Sequence, residues 1–199
     1  MHKNTLAGLA LTAVAMGCNT AMAQSADDLN YSYFEAGVSI ADIDVGFISE
    51  TDTGFNLRAS ADIASGLYAQ GSWDRWNTNF RGAFNTRFDL DIDLYKFGLG
   101  YRFDLQPNTD LFFEGSYAAL EIGSADDDGF RGDVGLRHGF NDRVEGRVFG
   151  GYQGDGDAGD GILGADLLVK LNRNFGISVG VETYEFDLNI YRGNLRVSF

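Results

Sequence analysis

Two acidic stretches contain the residues of this sequence that are best suited to bind an ion. One is 126–128, which is all aspartate, and the other is 154–161, where aspartates are separated by small residues. Carboxylates on such a flexible backbone can fold around a hard divalent cation. The spacing matches neither an EF-hand loop nor a glycine-rich nonapeptide repeat. We therefore favour solvated acidic loops, keep a divalent-cation site as the alternative, and expect no other cofactor.

The side chains needed for nucleophilic or metal catalysis are scarce. The sequence has two histidines and one cysteine, of which His2 and Cys18 lie in an N-terminal segment that we expect to be cleaved. A Ser-His-Asp hydrolase would have to use His138, and the sequence near it offers no activated serine. A paired-aspartate mechanism stays open, because acidic residues occur in every long predicted loop. We expect that the protein is not an enzyme.

Many of the remaining charges lie at alternate positions of ten segments. Alternation of apolar and polar residues indicates β-strands with one apolar face and one polar face. The segments are 31–41, 53–64, 67–74, 91–103, 110–120, 130–138, 143–152, 162–171, 175–183 and 188–199.

We assign sixteen charged residues to the polar face of these segments. If it turns inward, these residues line an interior with an excess of two positive charges and pair with one another, because unpaired charges are costly away from water. The basic members are Arg58, Lys96, Arg102, Arg131, Arg137, Arg147, Lys170, Arg192 and Arg196. The acidic members are Glu35, Asp62, Glu114, Asp133, Glu145, Asp166 and Glu182.

Alternation alone fits two architectures, which differ in the face that they bury. A soluble β-sandwich buries the apolar face, whereas a transmembrane barrel turns it toward lipid. The predicted connections alternate between long and short, which is typical of outer-membrane barrels. The long ones are 42–52, 75–90, 121–129, 153–161 and 184–187, and the short ones are 65–66, 104–109, 139–142 and 172–174.

We therefore predict an all-β, antiparallel, up-and-down transmembrane β-barrel. Ten strands are preferred and eight are the alternative, because an even number returns both chain ends to the same side. No apolar stretch after the N-terminal segment is long enough for a transmembrane helix, so a closed barrel is the membrane-spanning fold that the sequence allows. A soluble exported β-sandwich remains the alternative fold.

Aromatic residues on the apolar face support the membrane interpretation. They lie near strand ends, where amphipathic rings are most stable at the lipid headgroups. Those near the long connections are Trp73, Tyr95, Tyr117, Tyr152 and Tyr191, and those near the short ones are Tyr101, Phe103 and Phe175. The sequence ends at Phe199, in phase with the apolar face of the last segment.

The N-terminus has the organisation of a secretory signal peptide. A basic start precedes an apolar run at 6–16, and residues 21–23 (Ala-Met-Ala) fit the small pockets of a signal peptidase. The apolar run is shorter than the roughly 20 residues that span a bilayer. We predict a signal peptide over residues 1–23 and an outer-membrane barrel domain over 24–199. A lipoprotein cleavage site at Cys18 is the second choice.

Four motifs in the predicted strands resemble the small outer-membrane β-barrel domain family. They are Tyr33-Phe34-Glu35-Ala36-Gly37, 97–103 (FGLGYRF), 109–117 (TDLFFEGSY) and 127–131 (DDGFR). That family includes the membrane domain of OmpA and OmpX-like proteins, whose familiar small members have eight strands. The resemblance covers nearly the whole mature chain and implies a barrel in the outer membrane of a Gram-negative bacterium. It also implies that the terminal Phe199 is a signal for the barrel-assembly machinery.

Charge narrows the functions that such a barrel could have. The formal net charge is −14, and the acidic excess is concentrated in the predicted loops, which argues against nucleic acid as a partner. Lipopolysaccharide would be repelled unless divalent cations bridge its phosphates to the carboxylates. We expect a structural or surface-interaction role with acidic extracellular loops, for which the sequence identifies no extracellular partner. We keep a small passive or gated pore only as the alternative, because a ten-stranded barrel leaves little room inside for a channel.

Overall fold

The computed structural model describes residues 29–45, 48–81, 87–123, 125–154 and 159–199. The predicted signal peptide and the candidate lipoprotein site at Cys18 lie outside the described residues. Among the described residues, none belongs to a helix of the length and apolar character that crossing a membrane requires.

The described chain forms ten antiparallel strands in a single closed sheet. Each strand pairs with its neighbours in sequence, and the first strand pairs with the last, which closes the barrel. The strands are β1 (Tyr33–Val45), β2 (Ile48–Ala64), β3 (Leu67–Arg81), β4 (Arg87–Gln106), β5 (Thr109–Ile122), β6 (Ala125–Asn141), β7 (Val144–Gly154), β8 (Gly159–Lys170), β9 (Phe175–Tyr184) and β10 (Leu188–Ser198). The ten-strand prediction is confirmed, whereas the eight-strand count and the two-sheet sandwich are wrong.

The alternation of side chains decides which face of each strand points inward. In β6, Phe130 and Val134 are 74% and 45% exposed on the outer face. Arg131, Asp133 and Arg137, which alternate with them, are buried. Successive side chains of a strand point to opposite faces, so an apolar exterior requires a polar interior. This arrangement is the reverse of a soluble protein and is the one that a lipid environment stabilises.

The two ends of the barrel are distinguished by their connections. We call the end that holds Tyr33 and Ser198 the terminal end, where the connections are 65–66, 107–108, 142–143 and 171–174. The opposite end, here the distal end, has the connections 46–47, 82–86, 123–124, 155–158 and 185–187.

The distal connections are shorter than the sequence predicted, because most of the predicted loops are strand. Pairing continues to Val45↔Ile48, Arg81↔Arg87 and Ile122↔Ala125. The loops predicted at 42–52, 75–90 and 121–129 are therefore largely wrong. Apolar–polar alternation is imposed only where one face is buried, whereas hairpin hydrogen bonding needs no alternation. Where strands extend past the apolar wall, the sequence therefore need not alternate, and the extensions are not recognised from the pattern.

The distal hairpin between β9 and β10 turns through two non-glycine residues with positive φ. Glu185 has φ 49° and Phe186 has φ 70°, and the Asp187 amide donates to the Tyr184 carbonyl at 3.0 Å. Two central residues with positive φ define a type I′ turn, a position that usually takes Asn and Gly. The turn therefore holds Phe186, which is 69% exposed, in a conformation that its side chain disfavours.

Candidate functional site

Charged side chains fill the barrel interior and pair with one another across it. Several ion pairs join strands that are not neighbours in the sheet, such as Arg192 of β10 with Asp74 of β3. Side chains on non-adjacent strands can meet only through the space that the sheet encloses. The pairs form three layers, which we describe from the terminal end to the distal end.

The terminal layer is centred on Arg137, whose guanidinium donates to Glu145 from both Nε and Nη2. Lys170 forms an ion pair with the same carboxylate. On the opposite side of the layer, Arg102 donates to Asp62 at 2.9 Å. These pairs connect β2 with β4, β6 with β7, and β7 with β8.

Residues 29–32, which precede β1, fold into the terminal end of the interior. Tyr31 is 4% exposed, and the guanidinium carbons of Arg102 and Arg137 each lie 4.5 Å from the centre of its ring. Its ring also contacts Tyr68 at a centroid distance of 4.7 Å. Burial is the main reason why the pKa of the Tyr31 hydroxyl is raised above its ordinary value. The sequence pattern placed Tyr31 in the first segment without indicating this role.

The middle layer is a chain of alternating charges. Arg196 donates to Glu35 at 2.7 Å, and Arg58 lies between Glu35 and Asp166. Arg147 then bridges Asp166 to Glu114, to which Tyr68 donates a hydrogen bond of 2.7 Å. The ring faces of Phe112 and Phe149 each lie 4.5 Å from the Arg147 guanidinium.

The third layer is organised around Glu182 of β9. Its carboxylate accepts from Arg131 at 2.6 Å, from Lys96 at 3.1 Å and from Arg192 at 3.2 Å. The Tyr184 hydroxyl donates to the same carboxylate. Two further carboxylates complete the charge balance, since Arg131 also pairs with Asp133 and Arg192 with Asp74.

An apolar cluster occupies the interior on the distal side of the third layer. Its buried members come from eight of the ten strands, and we call it the cap. Phe112 and Phe149 connect this cap to the middle layer. The buried members are Ala41, Trp76, Leu94, Phe112, Phe149, Ile162, Tyr184 and Ile190, with Ile92, Leu120 and Leu188 packed against them. The sequence analysis assigned only polar chemistry to the inward face, so it missed this cap.

Little free space remains in the described interior. A cavity of about 30 Å³, large enough for a few water molecules, is lined by Ser60, Arg58, Tyr68 and neighbouring charged residues. A larger hollow of about 400 Å³ opens at the terminal end beside Leu29 and Arg102. The filled layers therefore separate this hollow from the distal end.

The structure brings the sixteen predicted charged residues together on the inner face, where each takes part in an ion pair. Three buried inward carboxylates were missed, namely Asp52 at 9% exposed, Asp74, which is fully buried, and Asp110 at 6% exposed. They more than offset the predicted excess of two positive charges. Asp74 and Asp110 lie at the ends of predicted segments and Asp52 directly precedes one, so continuing the alternation to these positions would have identified them.

Aromatic residues of the outer wall form contacts that cross several strands. Trp73 packs between Phe55 and Tyr95 toward the distal end, with centroid distances of 5.0 and 6.0 Å. Toward the terminal end, Tyr101, Phe103 and Phe113 form a second row. Phe199 is 43% exposed, and its amide donates to the Ser32 carbonyl at 3.1 Å.

Among the described residues, the acidic distal side chains and His138 do not come together as a metal site. In the part of the chain that the structure describes, no three His, Cys, Asp or Glu side chains are placed to hold a metal ion. Residues 126–128 are exposed on β6, while 155–158 lie outside the described residues. The His138 ring shares a hydrogen bond with Thr109 at 2.8 Å and packs edge-on against Phe140 at the terminal end.

No family model matches the sequence, and no curated protein matches it. Among solved structures, the KdgM porin in complex with disordered oligogalacturonate covers 84% of this chain and 99% of its own, with a TM-score of 0.52 and 14% identity. The NanC porin covers 83% and 100%, with a TM-score of 0.52 and 8% identity. At such low identity the similarity concerns the fold alone, which is that of an outer-membrane β-barrel.

Proposed function

We propose that this protein is an integral outer-membrane barrel with a closed interior, and that it acts in envelope structure or surface contact rather than in transport. One observation carries the proposal: three layers of ion pairs and an apolar cap occupy the described interior, where the cavity beside Arg58 and Ser60 measures about 30 Å³. Hydrated ions and sugars need a continuous polar path, which the apolar cap interrupts.

The proposal includes an orientation and a route of export. A signal peptide over 1–23 takes the chain across the inner membrane, and the barrel-assembly machinery recognises Phe199. The terminal end then faces the periplasm and the distal hairpins face outward, where they meet lipopolysaccharide and surfaces outside the cell. The outward acidic residues at the distal end, including Asp126 and Asp128, form a negatively charged rim that divalent cations would have to bridge to lipopolysaccharide phosphates.

A passive pore is the second candidate, favoured by the similarity of fold to the KdgM and NanC porins. Planar-bilayer recording of the refolded full chain separates the two. We expect no single-channel steps from the closed barrel, and reproducible steps would establish the pore instead.

Location is tested separately by cell fractionation combined with heat-modifiable gel migration. A folded barrel migrates differently before and after boiling, so we expect a heat-dependent shift in the outer-membrane fraction. Recovery of the protein in the periplasm or the medium would overturn the proposed location.

A further inference from the structure

One side of the interior, where β10, β1, β2 and β3 adjoin, contains buried polar atoms that lack protein partners. Among the described residues, Ser60 Oγ, Ser39 Oγ, Asn194 Oδ1, Trp76 Nε1 and both side-chain polar atoms of Asn56 make no hydrogen bond. All five residues are less than 5% exposed. We call these five residues the polar seam. The ion pairs of the three layers use none of them.

Strand register places the members of the seam in successive rows. Ser60 of β2 pairs with Tyr33 at the terminal end, while Asn56 and Asn194 both lie opposite Gly37 of β1. The third row contains Ser39, which lies opposite Gly54, and Gly54 lies opposite Trp76. The seam therefore runs from the terminal half of the interior toward the distal cap.

Two glycines allow the larger members of the seam to lean over the sheet. A Cβ at Gly37 would lie 2.3 Å from Asn194 Oδ1, and a Cβ at Gly54 would lie 2.8 Å from Trp76 Cδ1. Because glycine leaves these positions open, the Trp76 indole lies over β2 toward the row of Ser39. Trp76 is thus both the distal member of the seam and a member of the apolar cap.

Hydration explains how these atoms can be buried. Each buried polar atom without a partner costs about 1–3 kcal/mol, so six of them together would offset much of the stability of a small domain. Ordered water removes this cost where the site is polar and large enough for a molecule. Ser60 also lines the cavity of about 30 Å³, which provides the necessary space at the terminal half of the seam.

We propose that ordered water binds along the polar seam, and that the Trp76 side chain is the barrier between this water and the distal end. Its indole N–H, which has no protein partner, binds the last water, while its ring belongs to the apolar cap. Apolar constrictions block water and ions by dewetting, so removing the ring would connect the hydrated seam to the outside. This inference rests on the closed interior proposed above.

The test compares the two tryptophans of the sequence, which lie on the same strand. Trp76 points inward, whereas Trp73 packs on the outer wall with Phe55 and Tyr95. In planar bilayers with potassium chloride, we expect single-channel steps from Trp76→Ala and none from Trp73→Ala or the wild-type chain. A folded but silent Trp76→Ala variant would overturn the inference. Steps from the wild-type chain would overturn the closed interior itself, so the two failures are distinguishable.

A second measurement does not depend on the folding of Trp76→Ala. In the ¹⁵N-labelled Trp73→Phe variant, Trp76 supplies the only indole N–H signal, and we expect its cross-relaxation with water in detergent micelles. Adding Asn56→Leu replaces a hydrated amide of the seam, so it should weaken the cross-relaxation between the Trp76 indole N–H and water. A Trp76 indole signal without any contact to water would overturn the proposal.

Discussion

Asp74 of β3 and Arg192 of β10 form a two-point ion pair across the barrel interior. The Arg192 Nε atom lies 2.8 Å from Asp74 Oδ1, and its Nη2 atom lies 3.0 Å from Oδ2. Both side chains are at least 95% buried. A pair of this geometry is stable only while both partners remain, because either charge alone would be stranded away from water.

Removing one member of this pair should therefore cost more than removing both. We expect Arg192→Met to lower the free energy of unfolding by about 3–5 kcal/mol, because Asp74 is left buried without its partner. Urea unfolding of the protein refolded into lipid vesicles measures the loss. The double variant Asp74→Leu with Arg192→Met is the control and should lose less. Equal losses in the single and double variants would show that the pair carries no special cost.

The contacts of Tyr31 with two arginines should stabilise the terminal end. Tyr31→Ala removes a ring that lies 4.5 Å from both Arg102 and Arg137, and desolvated cation–π contacts contribute about 2 kcal/mol or more. We expect a loss of that size in the same unfolding experiment. Tyr31→Phe keeps the ring and removes only the hydroxyl, so most of the stability should remain. A similar loss in both variants would assign the effect to the hydroxyl instead.

A charged substitution on the apolar outer wall should destabilise the barrel by an amount that depends on its depth in the bilayer. Leu195, on the outer face of β10, is 67% exposed and lies between outward-facing Gly193 and Val197. We expect Leu195→Arg to lower stability in lipid by about 2–4 kcal/mol, the cost of an arginine near the bilayer midplane. Asn189→Arg, on the same face but at the distal end, should have little effect. Tolerance of Leu195→Arg would argue that this wall does not contact lipid.

The strained turn at Glu185 and Phe186 should gain stability from glycine. Positive φ costs a residue with a side chain roughly 1–2 kcal/mol, so Phe186→Gly should raise the free energy of unfolding by about that amount. Phe186→Ala removes the ring but keeps the strain, so it should give no comparable gain. If alanine stabilised the protein as much as glycine, exposure of the ring rather than backbone strain would be the cause.

Phe199 should matter for assembly more than for the stability of the finished barrel. We expect Phe199→Ala to reduce the heat-modifiable form in the outer membrane of cells, while the purified variant refolds with nearly unchanged stability. Phe175→Ala is the control, because Phe175 is also exposed on the outer face at the terminal end. An equal assembly defect in both variants would indicate a general need for aromatic residues at this end.

The strand pattern was predictable because each strand has one face toward the interior and one toward the exterior. Phe130 and Val134 alternate with Arg131 and Asp133 in the sequence, and the structure places the two sets on opposite faces. The predicted strand bounds were wrong where this contrast between the two faces of a strand ends. β3 continues to Arg81 and β4 begins at Arg87, although the whole of 75–90 was predicted to be a loop. Backbone pairing continues through these extensions, and such pairing requires no periodic pattern in residue type.

The sequence predicted which side chains point into the interior, but not which of them pair with one another. Alternation placed Glu182, Lys96, Arg131 and Arg192 on one face of four different strands. Only closure of the sheet brings the three cations to one carboxylate. Residues on non-adjacent strands meet at positions that depend on the tilt and stagger of the closed barrel, and these are properties of the whole sheet.

The sequence by itself determined strands with one apolar face and one charged face, because two-residue alternation is a local consequence of strand geometry. Closure of the sheet decided that the charged face is the inner one. The tertiary structure decided how the interior is filled. Tyr31 enters the terminal end and Trp76 belongs to the distal cap because closure brings strands distant in sequence within contact distance. No local pattern records such contacts, since each side chain is selected for its fit to partners on other strands.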